Sequence, residues 1–162
     1  MRFVVNTIAP YQLTQALLPM LGATGRVVNL SSAAQASVNL DALQGLRQPN
    51  DSDAYAQSKL ALTMWSGALG MQYAQPGPMI VAVNPKSFLG SKMVKDAYCV
   101  AGNDLALGAD ILIRAALSEE FSHAHGLYFD NDLESLASPH PDALNEAKVE
   151  QVVAVIERLA AK

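Results

Sequence analysis

Short apolar runs rich in β-branched residues alternate with helical stretches along the chain, and this alternation is what most restricts its fold. Arg26–Leu30 lies between a glycine and a serine pair, Met79–Val83 ends at an Asn-Pro step, and Gly126–Phe129 follows a helical stretch. Each run has the length and composition of a buried strand. Strands separated by helices favour parallel β-α-β units with helices on both faces of the sheet. The sequence therefore predicts one α/β domain over residues 1–162, with a doubly wound parallel sheet of about three strands.

Apolar side chains at three- and four-residue spacing predict the helices. One helix runs from near the start to Leu21, one covers about Tyr55–Tyr73, one covers Leu105–Leu117, and the last follows Pro139–Asp142. The apolar side chains that mark the first helix are Leu13, Leu17, Leu18 and Leu21. Those that mark the third are Leu105, Ala109, Leu112, Ile113 and Ala116. Those that mark the last are Val149, Val152, Val153, Ile156 and Leu159.

The charge and the apolar stretches argue against several partners. Eleven Lys and Arg against fifteen Asp and Glu give a net charge of -4. No basic run is able to neutralise phosphates, so no nucleic-acid partner is expected. The apolar stretches are shorter than the roughly twenty residues that cross a bilayer, and no signal-peptide core follows Arg2. We therefore expect no membrane partner. The lone Cys99 can form no disulfide within the chain, and we expect a cytoplasmic protein.

The chain is poor in charge and rich in apolar residues. Charged residues make up 16% and hydrophobic residues 51% of it, whereas charged residues make up about 25% of a typical globular chain. More surface than usual is therefore expected to be buried against a partner subunit, and we expect a homo-oligomer. One apolar helix face, formed by Met64, Trp65, Ala68 and Leu69, is expected to lie in the core or in a subunit interface.

Tyr55 and Lys59 are the first candidate pair for chemistry. A four-residue step on a helix puts the phenol and the ammonium on the same face. A nearby ammonium favours the phenolate, which suits Tyr55 to act as a general acid or base. The alternative for this spacing taken alone is an amphipathic helix whose lysine extends along its surface to water.

Ser31 and Ser32 end the first predicted strand, at the position where open α/β sheets place their ligands. A hydroxyl there suits donation to the carbonyl oxygen of a substrate. The alternative is capping of the strand end, which we assign to Ser31, while Ser32 faces the site.

Asn6 is a third polar residue in an apolar setting. Pro10 lies four residues later and has no N–H to donate to the Asn6 carbonyl. If the segment is helical through Asn6, that carbonyl is available to hold a water and a kink turns the side chain off the axis. The alternative is a helix that begins near Pro10.

In this order and on these elements, Asn6, Ser32, Tyr55 and Lys59 resemble the catalytic tetrad of the short-chain dehydrogenase/reductase family. Four ordered motifs are far more specific than any one of them, and the likeness covers most of the chain. The segments that carry it are Val5-Asn6, Leu13-Thr14, Leu17-Leu18-Pro19, Gly25–Ser32, Tyr55–Ala61 and Val83-Asn84-Pro85.

The resemblance implies an oxidoreductase that interconverts a carbonyl and an alcohol with NAD or NADP. Tyr55 would exchange a proton with the substrate oxygen, and Lys59 would hold the cofactor ribose and tune Tyr55. Ser32 would orient the carbonyl. Asn6 would anchor a water that relays protons through Lys59.

The same resemblance implies further cofactor contacts around the end of the second strand. Asn84, Pro85 and Lys86 would border the nicotinamide, and Ser91 would replace a threonine that contacts the cofactor. Residues 86–102 show no clean periodicity, and within them Phe88 to Ala101 would form a mobile substrate lid.

The sequence also departs from the family pattern. It has no Gly-rich turn after a strand, the element that receives the dinucleotide pyrophosphate. The chain therefore resembles only the C-terminal part of a Rossmann-like fold, and its first strand is expected to expose an edge. Lys86 stands where the family has a glycine. The insertion Ala36–Asp53 is expected to shape substrate entry, and the helices that contain Leu17 and Trp65 are the usual dimer interface of the family.

Two functional hypotheses follow. The chain holds the catalytic part of an NAD(P)-dependent oxidoreductase acting on a small carbonyl or alcohol, or it is a truncated, inactive relative that binds another subunit. No metal site is expected, since His123-Ala124-His125 lacks neighbouring ligands and Asp130-Asn131-Asp132 fits a turn better than a calcium loop.

Overall fold

The computed structural model describes residues 1–74 and 76–161 and shows a four-stranded sheet. The strands are β1 (Arg26–Leu30), β2 (Met79–Asn84), β3 (Tyr128–Asp130) and β4 (Ser135–Ala137), in the spatial order β1-β2-β3-β4. β1, β2 and β3 are parallel, and β4 pairs antiparallel with β3. The predicted α/β fold and its three parallel strands are confirmed, whereas β4 was not predicted. Within the described part of the chain no strand pairs with the free edge of β1.

In the described ranges, six α-helices and four shorter helical turns surround this sheet. The α-helices are α1 (Ala9–Leu17), α2 (Leu40–Leu43), α3 (Asp51–Gln72), α4 (Lys92–Tyr98), α5 (Leu105–Leu117) and α6 (Glu146–Ala160). A π-helical turn, Val4–Ile8, precedes α1, and 3-10 turns cover Leu18–Met20, Glu119–Phe121 and Pro141–Leu144. α3 begins four residues earlier than predicted because Asn50 caps it by accepting a hydrogen bond from the Asp53 N–H at 2.8 Å.

The helices cover both faces of the sheet and enclose a core on each. On one face, α3 packs against β2, and α6 packs across the outer side of α3. Trp65 is fully buried there, and its ring contacts the ring of Tyr11 at 5.5 Å between centroids. Met64 and Leu69 are buried in the same core, which confirms the core alternative for this helix face. The smaller core on the other face is formed mainly by Met79, Val81, Val83, Ile111, Ala115, Phe121 and Phe129.

Two helices turn partly different faces to the core than their leucine spacing predicted. In α1 the buried residues are Tyr11 and Thr14, while Leu13 is 61% and Leu17 is 44% exposed; Leu18 and Leu21, which follow α1, pack on the core as predicted. In α5, Gly108, Ile111 and Ala115 are buried and Leu112 packs on the core as predicted, while Leu105, Ala109, Ile113 and Ala116 are exposed. Apolar residues lie all round both helices, so spacing identified each helix without identifying its buried face. In α6 the predicted residues do pack on the core, together with Val155.

No helix of the described ranges is long and apolar enough to cross a membrane.

α3 lies unusually close to the loop that leads into β3. A Cβ added at Gly70 would lie 2.8 Å from the Ile80 carbonyl oxygen and nearer still to the backbone of Gly126. Gly126 itself has a φ of +70° and donates its N–H to that same Ile80 carbonyl at 2.8 Å. Because backbone atoms surround the position, a side chain there can be accommodated only if the helix moves away from the sheet.

We therefore expect Gly70→Ala to destabilise the protein by about 1–3 kcal/mol or more, through overpacking against backbone. Gly67→Ala is the matched control, because its Cβ would meet only the Gly126 carbonyl oxygen at an ordinary 3.5 Å. The control should be neutral or stabilise by up to about 1 kcal/mol through helix propensity. Urea unfolding of the two variants measures the difference, and equal midpoints would contradict the close approach.

Candidate active site

The N-terminal helical segment is joined to α3 at Ser58. The chain is helical through Asn6, so the alternative of a helix that begins near Pro10 is wrong. The helical hydrogen bonds before Pro10 take the pattern of a π-helical turn, in which the Ala9 N–H donates to the Val4 carbonyl. Asn6 donates its side-chain amide to the Ser58 hydroxyl at 3.1 Å, and the Thr7 hydroxyl donates to the Ser58 carbonyl at 2.9 Å.

Tyr55 and Lys59 lie on either side of this contact, one turn apart on α3. The Ser58 hydroxyl donates to the Tyr55 carbonyl at 2.7 Å. Lys59 Nζ donates to the Leu30 carbonyl at 2.7 Å, and it lies 5.7 Å from the centre of the Tyr55 ring. Asn6, Tyr55 and Lys59 are thus brought together around one turn of α3, with Lys59 reaching the end of β1.

Burial of Lys59 has an electrostatic consequence. Loss of hydration penalises its ammonium form and lowers the pKa of Lys59 to about 8. The side chain is therefore close to its titration point at physiological pH, while its nitrogen remains a donor in either protonation state.

Ser32 follows β1 and is held through its backbone. Its carbonyl accepts hydrogen bonds from the Tyr128 hydroxyl at 3.2 Å and from the Gln35 side-chain amide at 2.9 Å. Its own hydroxyl accepts from the Ala34 N–H at 3.1 Å and retains a proton to donate. The Ser31 hydroxyl is buried against Thr63 of α3 at 2.6 Å between the oxygens, which agrees with a structural role for Ser31.

A cleft of about 660 Å³ opens between the N-terminal segment, the Ala36–Asp53 insertion and the start of α3. Asn6 lines it, as does Ala54, the residue before Tyr55. Arg2 and Arg47 supply its positive charge and Asp51 its negative charge. The Arg2 guanidinium carbon lies 5.9 Å from the centre of the Tyr55 ring, within the range of a cation–π contact.

Asn84 and Lys86 are engaged by the turn after β3. The buried Asn84 amide donates to Asp130 at 2.8 Å and to Asp132 at 2.9 Å. Lys86 Nζ donates to the Asn131 carbonyl at 3.3 Å, and the Lys86 backbone has a φ of +133°. Such a conformation favours glycine, the residue that the family resemblance puts at this position.

Pro85 and Ser91 lie on either side of a segment that leaves the sheet and returns to it. The Pro85 carbonyl accepts from the Asn131 amide at 2.9 Å, and the Ser91 hydroxyl caps α4 by accepting from the Val94 N–H at 3.3 Å. Residues 91–102 contain α4, and a bridge between Leu89 and Asn103 closes their base. A lid role for residues 86–102 stays a prediction.

Three residues around this site were not found from the sequence, namely Ser58, Tyr128 and Asp132. Ser58 stands between the two motif residues of Tyr-x-x-x-Lys, and its three-residue step from Tyr55 is the only signal for its contact. Tyr128 and Asp132 form hydrogen bonds with Ser32 and Ser87, which lie more than forty residues away in the sequence. No local sequence pattern predicts contacts over such separations. No group of three or more His, Cys, Asp or Glu in the described ranges is placed to hold a metal ion.

The chain is similar in sequence to retinol dehydrogenases. It is 28% identical to retinol dehydrogenase 13 of Homo sapiens over an alignment of 178 residues, which covers 98% of this chain and 53% of that protein. It is 30% identical to retinol dehydrogenase 12 of Mus musculus over 142 residues, which cover 80% of this chain and 45% of that protein. The chain thus spans about half the length of the curated relatives it matches. No protein-family model matches it.

Solved structures share the fold over a similar fraction. A short chain dehydrogenase from Salmonella enterica serovar Typhi, 27% identical, superposes with a TM-score of 0.60 and covers 80% of this chain and 51% of that one. An uncharacterised protein from Mycobacterium paratuberculosis, 23% identical, gives 0.71 and covers 97% and 57%. The NADPH-bound carbonyl reductase from chicken fatty liver, 24% identical, gives 0.55 and covers 84% and 55%.

Sequence relatives and structural neighbours confirm the predicted resemblance to the short-chain dehydrogenase/reductase family. The chain is similar to retinol dehydrogenases and to a short chain dehydrogenase over about half of the length of those proteins.

Proposed function

We propose that this chain carries the proton-transfer part of an NAD(P)-dependent oxidoreductase that interconverts a carbonyl and an alcohol. The observation that carries this proposal is the convergence of Asn6, Tyr55 and Lys59 on one turn of α3, where Lys59 reaches the Leu30 carbonyl at the end of β1, two residues before Ser32. Oxidoreductase relatives, the retinol dehydrogenases, and a short chain dehydrogenase of similar fold support it.

Each residue has a role that its contacts allow. Tyr55 donates or accepts the proton of the substrate oxygen, and the side chains of Arg2 and Lys59 lie near its ring. The Ser32 hydroxyl orients the substrate carbonyl. Tyr128 and Gln35 hold the Ser32 backbone by donating hydrogen bonds to its carbonyl. Asn6 fixes the turn of α3 that carries Tyr55 and Lys59 through Ser58.

The residues present fit one end of a dinucleotide. When bound, the nicotinamide supplies or takes the hydride. Lys59 has the donor nitrogen and the partial burial suited to ribose hydroxyls, and Pro85, Lys86 and Ser91 lie along the segment proposed to border the nicotinamide. A neighbour of the same fold is described as NADPH-bound, which favours a nicotinamide dinucleotide without choosing NAD or NADP. A turn for the pyrophosphate is not part of this sequence.

A second candidate function is assembly without turnover. It is favoured by the apolar side chains that α1 turns outward, among them Leu13 and Leu17. On this proposal the chain is a subunit of a homo-oligomer. The Trp65 face of α3 lies inside the chain, under α6, so the contact would use α1. A monomer in sedimentation velocity would count against it. A cytoplasmic location stays a prediction.

Titration of the purified protein with NADH and NADPH separates the two candidates. Calorimetric binding accompanied by a higher melting temperature is expected for the oxidoreductase, since a ligand that binds only the folded state stabilises it. A protein that binds neither dinucleotide would favour assembly.

Tyr55→Phe removes only the hydroxyl and should lower kcat by about 10²–10⁴-fold, the scale of general acid–base catalysis. Tyr73→Phe is the matched control, because Tyr73 follows the other end of α3, and its turnover should be unchanged. Steady-state reduction of a carbonyl substrate measures both variants. An unchanged kcat in Tyr55→Phe would remove the basis of the proposal.

The lowered pKa of Lys59 predicts a pH dependence of stability that does not involve turnover. Between pH 8 and about 10.5 the unfolded lysine binds a proton that the folded lysine has lost, so unfolding becomes less favourable as pH rises. Relative to Lys59→Met, the wild type should gain up to about 3 kcal/mol of unfolding free energy over this window. Denaturant unfolding at several pH values measures the difference, and a constant offset would contradict the shift.

A further inference from the structure

Two loops are held together at the carboxyl ends of β2 and β3. Asp132, in the turn after β3, accepts hydrogen bonds from the Ser87 backbone N–H at 3.0 and 3.2 Å and from the Ser87 hydroxyl. Its Oδ2 also accepts from the buried Asn84 amide, whose other N–H bonds to Asp130. The carboxylate therefore binds residues on both sides of the Pro85-Lys86 step.

Asn131 completes the arrangement from the same turn. Its buried amide donates to the Pro85 carbonyl at 2.9 Å and to the Leu107 carbonyl at 3.3 Å. Its own carbonyl accepts from Lys86 Nζ. We refer to Asn84, Asp130, Asn131 and Asp132 as the turn clamp. It contacts each of the three residues that follow β2, which are Pro85, Lys86 and Ser87.

The clamped backbone is strained. Lys86 has a φ of +133° and Phe88 has a φ of +51°, values that side chains with a Cβ rarely adopt. Such conformations persist only where the surroundings determine them, and they concentrate at functional sites. The turn clamp bonds this stretch at Pro85, Lys86 and Ser87, and Asn103 bonds the Ser87 and Phe88 carbonyls at 2.8 and 2.6 Å.

Asp132 is kept in the form that the clamp needs. Burial raises the pKa of its carboxyl, but hydrogen bonds from Ser87 and Asn84 and the charge of Lys86 outweigh burial and hold the pKa below its ordinary value. Asp132 is therefore an ionised, acceptor-only group near neutral pH, and all its contacts here are donors.

We propose that Asp132 is a positioning residue of the oxidoreductase, which acts through Ser87 to hold Lys86–Phe88 in the conformation that receives the nicotinamide. The inference rests on the proposed function, because it takes this segment as the border of the cofactor site. Open α/β sheets bind ligands beyond the carboxyl ends of their strands, which is where the turn clamp lies. Asp132 itself does not touch the cofactor.

Asp132→Asn preserves size and leaves one acceptor oxygen, so it should weaken the clamp without emptying the space. In the whole protein we expect the KM for the dinucleotide to rise about tenfold while kcat changes less than about threefold, because the reacting groups on α3 are untouched. The exposed Asp110→Asn is the matched control and should leave both constants unchanged. A fall in kcat at unchanged KM would overturn the positioning role.

Strain gives a rescue test that a merely structural role would not pass. Glycine adopts a positive φ without penalty, so Lys86→Gly removes the backbone strain at residue 86. The KM increase caused by Asp132→Asn should therefore be smaller in the Lys86→Gly background than in the wild type, as a double-mutant cycle measures. Equal increases in the two backgrounds would show that Asp132 does not act through the strained backbone.

The lone cysteine gives a readout that does not depend on turnover. Cys99 is exposed and lies in the 91–102 segment. The Leu89–Asn103 bridge closes the base of this segment, and the Asn103 amide joins it to the clamped Ser87 by donating to the Ser87 carbonyl at 2.8 Å. A nitroxide attached to Cys99 should become more mobile in Asp132→Asn than in Asp110→Asn. Unchanged mobility would overturn the clamp. Increased mobility in a protein that binds no dinucleotide would uphold the clamp and refute the oxidoreductase proposal instead.

Discussion

Hydrogen bonds between β1 and one side of α3 are the constraint on which the rest of the site depends. The Asn29 amide donates to the Ser66 hydroxyl at 2.9 Å, Ser31 pairs with Thr63, and Lys59 reaches the Leu30 carbonyl. These contacts lie at successive levels along the helix and fix its rotation and its height against the strand. A rotation of α3 by one residue would turn Lys59 away from the Leu30 carbonyl at the end of β1. Polar pairs buried in an apolar layer therefore set the register that hydrophobic packing alone leaves open.

The sequence was most informative where local rules govern structure. The strands are predictable because short β-branched runs between turn residues rarely form anything other than strands. The Tyr55–Lys59 pair is predictable because a four-residue step is enough to put both side chains on one helix face. Helix faces were less predictable, because Leu13 and Ile113 lie on helices that are apolar on several sides. β4 is three residues long and, among the residues that the structure describes, pairs with β3 alone, so no sequence pattern of its own marks it. The Asp130–Asp132 turn was expected, but its hydrogen bonds to residues 84–87 depend on the fold.

Lys86 combines a backbone conformation suited to glycine with a side chain that makes a contact. Its φ of +133° lies in the region that favours glycine, although a lysine occupies the position. The added cation does not point free into the site, because its nitrogen bonds to the Asn131 carbonyl. The Lys86 side chain thus adds a hydrogen bond between the segment after β2 and the turn after β3. The backbone strain at Lys86 and this stabilising hydrogen bond belong to the same residue.

The position of Trp65 has a practical consequence. It is the single tryptophan of the chain, it is fully buried, and its ring lies against Tyr11 where α1, α3 and α6 meet. Its fluorescence is therefore an intrinsic optical probe of that one layer, separated by the sheet from the α5 side. Comparing tryptophan emission with circular dichroism during unfolding would tell whether the two helical layers come apart together or one after the other.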